Sequence, residues 1–240
     1  MIEFLSEIDT RLLLAINGFH TPALDQFMFL LSAKLVWIPF YILLMVISIH
    51  RYGWRGGMFI VLGIALAVTI ADQTCGSLIR PLVERMRPSN PNNPLSSMVH
   101  LVNNYHGGRY GFPSCHAANT VAVATFLSLV YRRRRIIIFS LALWAAMNCY
   151  SRMYLGVHYP GDILVGAIIG YIVGYAIYNL TLSAIFWIIN HRLQPSSDMI
   201  HISIGGGFIP EIRISNSLLL SAALALTTTV LLLISLFSYY

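Results

Sequence analysis

The sequence predicts an all-α membrane protein: a polytopic helix bundle of about six transmembrane helices, preceded by an N-terminal interfacial helix. Three observations carry that reading. Of the 240 residues, 57% are hydrophobic and only 10% are charged, where an average soluble domain carries roughly 25% charge. The mean hydropathy is +0.71, and Lys34 is the single lysine. Six mostly apolar runs, at 26–49, 57–79, 116–131, 136–152, 162–189 and 217–238, come near the roughly 17 to 25 residues that carry a helix across a bilayer. A soluble enzyme of this size would lack the polar surface it needs, and no nucleic-acid partner is expected.

Ahead of the first run, Leu5, Ile8, Leu12 and Ile16 recur at helical spacing opposite Glu3, Glu7 and Arg11. That pattern is an amphipathic helix lying in the membrane interface. The stretch has acidic residues before any base and no small-residue cleavage site, so it reads as a retained segment rather than a signal peptide. The third and fourth runs are short and cross only by standing upright or thinning the bilayer locally. Cys75, Cys115 and Cys149 are odd in number and lack zinc-type spacing, which argues against a disulfide scaffold and a structural metal site. Gly205, Gly206 and Gly207 lack the following Lys-Ser/Thr of a phosphate loop and read as a flexible turn.

Orientation follows from arginine placement. Arg51 and Arg55, the run Arg132 to Arg135, and Arg192 with Arg213 fall between spans on one side, which the positive-inside rule makes cytoplasmic. The loops at 80–115 and 152–161 then face outward, yet they hold Arg80, Arg85, Arg87, Arg109 and Arg152. Arginines placed against the rule call for another reason, and a ligand is one.

Three clusters sit at span ends on that outer side: Arg80-x6-Arg87-Pro88, Pro113-Ser114-Cys115-His116, and Ser151-Arg152-x5-His158-x3-Asp162. Arg80, Arg87 and Arg152 offer planar, permanently charged forks that match phosphate oxygens. The stretch 113–116 opens a helix, whose unpaired N–H groups and positive dipole end favour an anion, and Ser114 adds a hydroxyl donor. Two histidines supply a nucleophile and a proton donor for cleaving a phosphate ester without a metal. Pro160 suits the first turn of the fifth helix, which puts Asp162 in that turn. There Asp162 can accept a hydrogen bond from one ring nitrogen of His158 and leave the other bare, with His158 as nucleophile and His116 protonating the departing oxygen.

These residues resemble the type 2 phosphatidic acid phosphatases, whose signature is Lys-x6-Arg-Pro, Pro-Ser-Gly-His and Ser-Arg-x5-His-x3-Asp. The third motif is matched in full; Arg80 stands for the lysine of the first and Cys115 for the glycine of the second. The resemblance covers about residues 60–185. It implies a phosphohistidine on His158, oriented by Asp162, with His116 as acid, and a cradle of Arg80, Arg87, Ser114, the Cys115 amide and Arg152, with no required metal or other cofactor. Arg80 keeps the charge in a broader fork, and Cys115 keeps the backbone N–H, so activity is expected to survive both changes.

The expected protein is therefore an integral membrane lipid phosphatase of a bacterial inner membrane, with its site on the outer face. Candidate substrates are undecaprenyl diphosphate, lipid A phosphate, phosphatidylglycerol phosphate and phosphatidic acid, the first two slightly ahead because an outward site meets lipids there. Transfer of the phosphoryl group to a second lipid, or lipid binding and transport without catalysis, are the alternatives. The organisation is an amphipathic segment at 1–24, a catalytic membrane domain at 25–189, and a linker with a C-terminal helix at 190–240. Asp72 reads as either a helix–helix hydrogen bond or a substrate contact, and Lys34 as snorkelling to the interface. The loop 80–115 is expected to cap the site, where headgroup contacts fit Arg85, Arg109, His100 and His106. Tyr150, Tyr154 and Tyr159 read as an aromatic belt. Gly166, Gly170 and Gly174 form one close-packing face, beside a lateral entry for the lipid tail.

Overall fold

The computed structural model describes residues 2–192 and 214–237. They form eight helices: α1 Ile2–Gly18, α2 Pro22–Ser32, α3 Ile38–Gln73, α4 Arg80–Val83, α5 Cys115–Val130, α6 Arg135–Tyr154, α7 Pro160–Arg192 and α8 Ile214–Phe237. Among the described residues the single extended pairing is an isolated antiparallel bridge between Met86 and Tyr110. The linker readings at Gly205 to Gly207 and Arg213 lie outside the described residues.

Helix α3 is two limbs. Gly53 has φ 68° and ψ 169°, a backbone setting that suits glycine. A Cβ on Gly57 would lie 2.6 Å from the Cα of Ile49; in a straight helix eight residues span about 12 Å, so the chain doubles back at Gly53. The continuous helical stretch Lys34–Val83, together with Arg135–Tyr154 and Pro160–Trp187, is long and apolar enough to span a membrane, while Cys115–Val130 and Ala223–Leu232 are apolar but shorter. With Gly53 dividing the first stretch, six apolar helical segments result, as the hydropathy pattern predicts.

The first apolar run departs from expectation. Instead of one helix over 26–49, α2 stops at Ser32, Ala33 is extended, and a 3-10 turn at Lys34–Trp37 leads into α3. The indole N–H of Trp37 donates to the Leu31 carbonyl at 2.9 Å, satisfying a backbone group the break would orphan. Pro39 in the first turn of α3 is the local signal for this restart. Apolarity alone cannot show it, because both sides of the break are equally greasy.

Helix α5 lies at the centre, packed on α3, α6 and α7. Its partner face on α7 is the glycine row: a Cβ on Gly170 would come within 3.0 Å of the Ala118 Cα, and one on Gly174 within 2.6 Å of the Ala122 carbonyl oxygen. That face is filled by α5, so it is a close-packing seam. Trp37 and Trp144 meet edge to face at 5.5 Å between ring centres, closing the core between α3 and α6. Leu62, Leu66, Ile70, Leu164, Ile168 and Ile172 point outward as lipid-facing surface.

Helix α1 lies across the end of the bundle where α5 and α7 begin. Leu13 and Asn17 are buried beneath it, while Phe4, Leu5, Ile8 and Leu12 are exposed, as an interfacial helix requires. Asn17 donates to the carbonyls of His100 and Tyr154 at 2.9 and 2.7 Å, and Asp25 joins the His100 imidazole and the Tyr154 hydroxyl at 2.8 and 2.7 Å. These bonds pin the loop 84–114 over the same end. Tyr154 and Tyr159 are therefore interior tie points, not an aromatic belt; both are buried. The turns at Gly53 and at Arg132 to Arg134 lie at the opposite end.

Candidate active site

The beginning of α7 sets the site. Asp162 is 0% and His158 2% exposed. Asp162 Oδ2 accepts from the Tyr159 amide at 3.0 Å and lies 3.3 Å from His158 Nδ1, which fixes the carboxylate in the first turn before it meets the ring. Gly111 in the covering loop gives the ring a backbone hydrogen-bond partner. A Cβ there would lie 3.0 Å from Asp162 Oδ2 and 3.1 Å from Arg87 Cγ, so any larger residue would press on both site groups.

His158 Nε2 is not bare. Arg87 Nη1 donates to it at 2.9 Å and to the Val157 carbonyl at 3.2 Å. A guanidinium can only donate, so Nε2 is the acceptor and the ring proton sits on Nδ1, toward Asp162. Burial, then the charges of Arg87, Arg152 and Arg80, hold the His158 imidazole well below its ordinary value, so the ring is neutral at pH 7. Burial, then Arg152 and Arg80, pull Arg87 down to about 10; it stays charged, among neighbours of its own sign.

Arg80 donates to the Pro113 carbonyl at 3.2 Å and to Cys115 Sγ at 2.8 Å. Arg152 donates to the Ser32 hydroxyl and, at 3.5 Å, to the Tyr105 hydroxyl. Among the described residues none of Arg80, Arg87 and Arg152 forms an ion pair with a carboxylate, and Nε of both Arg80 and Arg152 is buried without a hydrogen-bond partner. Uncompensated buried cations are costly, and an anion among them relieves that cost. All three line one cavity of about 440 Å³ with Cys115, His116 and His158.

His116 opens α5 on the cavity wall with Nε2 buried and unpartnered. Cys115 takes the first helical position and faces Gly76, where a Cβ would lie 3.4 Å from the Cys115 sulfur, in ordinary contact. Ser114 departs from expectation. It is fully buried, its hydroxyl accepts from the Ala117 amide at 3.3 Å as the N-cap of α5, and it is not among the cavity-lining residues. The cap occupies one acceptor lone pair of the hydroxyl, whose own O–H the sequence reading assigns to phosphate. Asp72 accepts from Asn119 across α3 and α5 at 2.8 Å, so it is a helix–helix bond, and both residues also line the cavity floor. Among the described residues no group of three or more His, Cys, Asp or Glu is placed to hold a metal.

Sequence reasoning missed a second layer. Arg85 reaches Asp9 at 2.7 Å and Asp162 Oδ1 at 3.0 Å, with its guanidinium 3.8 Å from the Tyr159 ring centre. Asp9 in turn accepts from the Gly161 amide at 2.6 Å. The arginine is thus behind the site rather than at the headgroups. Its spacing two residues before Arg87 is visible in sequence, but its partner on α1 lies 76 residues away. Tyr105 and Lys34 also line the cavity; Lys34 stands at its rim instead of merely snorkelling.

A helical membrane bundle that gathers three unpaired guanidiniums around a neutral imidazole belongs to the class that handles phosphate esters. Residues 58–186 match the PAP2 superfamily model, and the chain belongs to that family; it is a membrane lipid phosphatase. It is 50% identical over 178 residues to the lipid A 4'-phosphatase of Bacteroides thetaiotaomicron, covering 74% of this chain and 79% of the relative. It is 35% identical over 185 residues to that of Porphyromonas gingivalis, covering 76% and 77%. Aquifex aeolicus LpxE, a solved structure, is 26% identical with a TM-score of 0.54 and covers 70% of this chain and 93% of its own. The Bacillus subtilis transmembrane PAP2-type phosphatidylglycerolphosphate phosphatase shares the fold, at 20% identity and a TM-score of 0.56, over 75% and 87%.

Proposed function

We propose that this chain removes a phosphate from a lipid A-type glycolipid through a phosphohistidine on His158. The observation that carries the reading is the set of three guanidiniums, none paired with a carboxylate, that lines one cavity with a buried neutral histidine, one of them donating to its Nε2. The two lipid A 4'-phosphatase relatives, each matched over more than three quarters of its length, favour that lipid over the other candidates.

Arg80, Arg87 and Arg152 take the phosphoryl oxygens, helped by the free amides at the start of α5. Arg87 exchanges its bond to Nε2 for one to phosphate, which releases the lone pair and draws phosphorus toward it. Nε2 attacks phosphorus as the P–O bond to the lipid breaks, and His116, protonated once the phosphate dianion sits beside it, gives the departing oxygen its proton. Asp162 holds the Nδ1 proton and stabilises the positive ring that forms. Water then attacks the phosphohistidine, His116 takes its proton, and phosphate leaves.

Arg51, Arg55 and Arg132 to Arg135 lie at the end of the bundle opposite the site, and the positive-inside rule makes that end cytoplasmic, which supports a site facing outward from the cytoplasmic membrane. Asp9 links α1 to Asp162 through Arg85, so the amphipathic segment is part of the catalytic unit and not an appendage to 25–189. The test is free-phosphate release by the purified full chain across lipid A, undecaprenyl diphosphate, phosphatidylglycerol phosphate and phosphatidic acid. Lipid A is expected to be the preferred substrate, and His158→Ala to abolish release while lipid binding persists. Residual turnover above about one part in a thousand would sink covalent catalysis on His158.

A further inference from the structure

The cavity holds more positive charge than one phosphoryl group needs. Its lining contains four permanent cations, Arg80, Arg87, Arg152 and Lys34, and one carboxylate, Asp72, which is already bonded to Asn119. A phosphate monoester brings about two negative charges at neutral pH, which the three arginines around His158 already match. Lys34 is a cation beyond that set. It comes from a different part of the chain than the three motifs, and the helix break at Ala33 is what turns it to the cavity. It is exposed, and among the described residues it has neither a hydrogen bond nor an ion pair. The cavity, at about 440 Å³, has the size of a headgroup site rather than of a single phosphate.

We infer that Lys34 forms a second anion subsite, which recognises a further phosphate on the substrate headgroup while the first is cleaved at His158. This rests on the lipid phosphatase reading and narrows its substrate class to headgroups bearing two phosphates. The second phosphate is either remote on a sugar headgroup or the neighbour in a diphosphate. Lys34 does not touch the reacting atoms in this account. It selects the substrate and leaves the chemistry to His158.

Binding and turnover test it on the full chain in neutral detergent, with Lys34→Ala and Lys34→Arg. The wild type is expected to bind inorganic pyrophosphate more tightly than orthophosphate by calorimetry. Lys34→Ala is expected to reduce that preference about three- to fivefold, as for one exposed charge pair, and Lys34→Arg to restore it. Raising the salt tenfold should shrink the difference, since exposed pairs are screened. Turnover is then compared as the ratio of kcat/KM for two-phosphate over one-phosphate substrates: bis- against monophosphorylated lipid A, and polyprenyl diphosphate against monophosphate. A ratio that falls in the first pair assigns the second phosphate to the sugar; one that falls in the second pair assigns it to a diphosphate. A pyrophosphate preference unchanged within twofold in Lys34→Ala overturns the diphosphate source, and equal losses on both members of each substrate pair overturn the inference whole. Failure of the wild type on lipid A alone would instead strike the lipid A reading and leave the pyrophosphate result standing.

Discussion

Arg87 donates a 2.9 Å hydrogen bond to Nε2 of His158, the nitrogen that has to attack phosphorus. One residue thus guards the nucleophile and greets the substrate. The guanidinium gives up the nitrogen only for a better acceptor, and a phosphate oxygen is one, since it adds an opposite charge and a bidentate fit to the fork. Arg87→Lys keeps a charge but loses the fork that spans Nε2, Val157 and phosphate. It is expected to lower kcat/KM by about a thousandfold, in the range seen for arginines that stabilise a transferring phosphoryl group. Steady-state phosphate release checks this; a loss under tenfold would make the arginine a simple point charge.

Asp162 is held from two sides, by the Tyr159 amide and by Arg85, which is itself held by Asp9. The chain α1–Arg85–Asp162–His158 should behave as one unit. Asp9→Asn is expected to reduce kcat about tenfold with KM little changed, and Arg85→Gln up to about a hundredfold, in line with groups that orient a ligand or base from behind. The double variant should lose no more than Arg85→Gln alone, because both act through the same carboxylate. Additive losses would show that α1 acts elsewhere. Asp162→Asn should lose several orders of magnitude by favouring the wrong ring tautomer, as in a serine triad.

His158 carries a pH signature. Burial and three arginines keep its folded-state value well below 6.5, so between that value and 6.5 the unfolded chain binds a proton that the folded chain refuses. Its contribution to stability is fully present above about pH 6.5 and is lost progressively as pH falls below it. Imidazole nitrogen shifts from isotope-labelled protein should report a neutral ring at pH 6, with His158→Ala assigning the signal. A titration near 6.5 would contradict the burial argument.

The α5–α7 seam sets how closely the two motif-bearing helices approach. Gly170→Val forces a branched side chain onto the Ala118 backbone and is expected to cost about 1–3 kcal/mol by overpacking. Leu164→Val on the lipid face should stay within about 0.5 kcal/mol. Thermal unfolding in detergent compares the two; equal shifts would mean the seam is loose.

Much of the site is legible in the chain because motifs such as Arg152, His158 and Asp162 carry their geometry locally. A carboxylate four residues after a histidine, with Pro160 between them to start a helix, needs no distant partner to be read. Ser114 needed the fold to show its cap: a serine ahead of a helix can serve a ligand, cap the helix or do both, and the spacing is the same in each case. The break at Ala33 was harder, since transfer to lipid is governed by apolarity and the run 26–49 is apolar throughout.

By itself the sequence determined that this is a membrane helix bundle, where its spans lie, and that an arginine-and-histidine phosphate site forms at one end of them. Those properties follow from composition and from short periods along the chain. The fold alone decided that Arg87 covers the nucleophilic nitrogen, that Asp9 and Arg85 brace Asp162, and that Lys34 looks into the cavity. Each of these brings together side chains from segments far apart in sequence. Such pairings depend on packing distances of a few ångström, which no local pattern encodes.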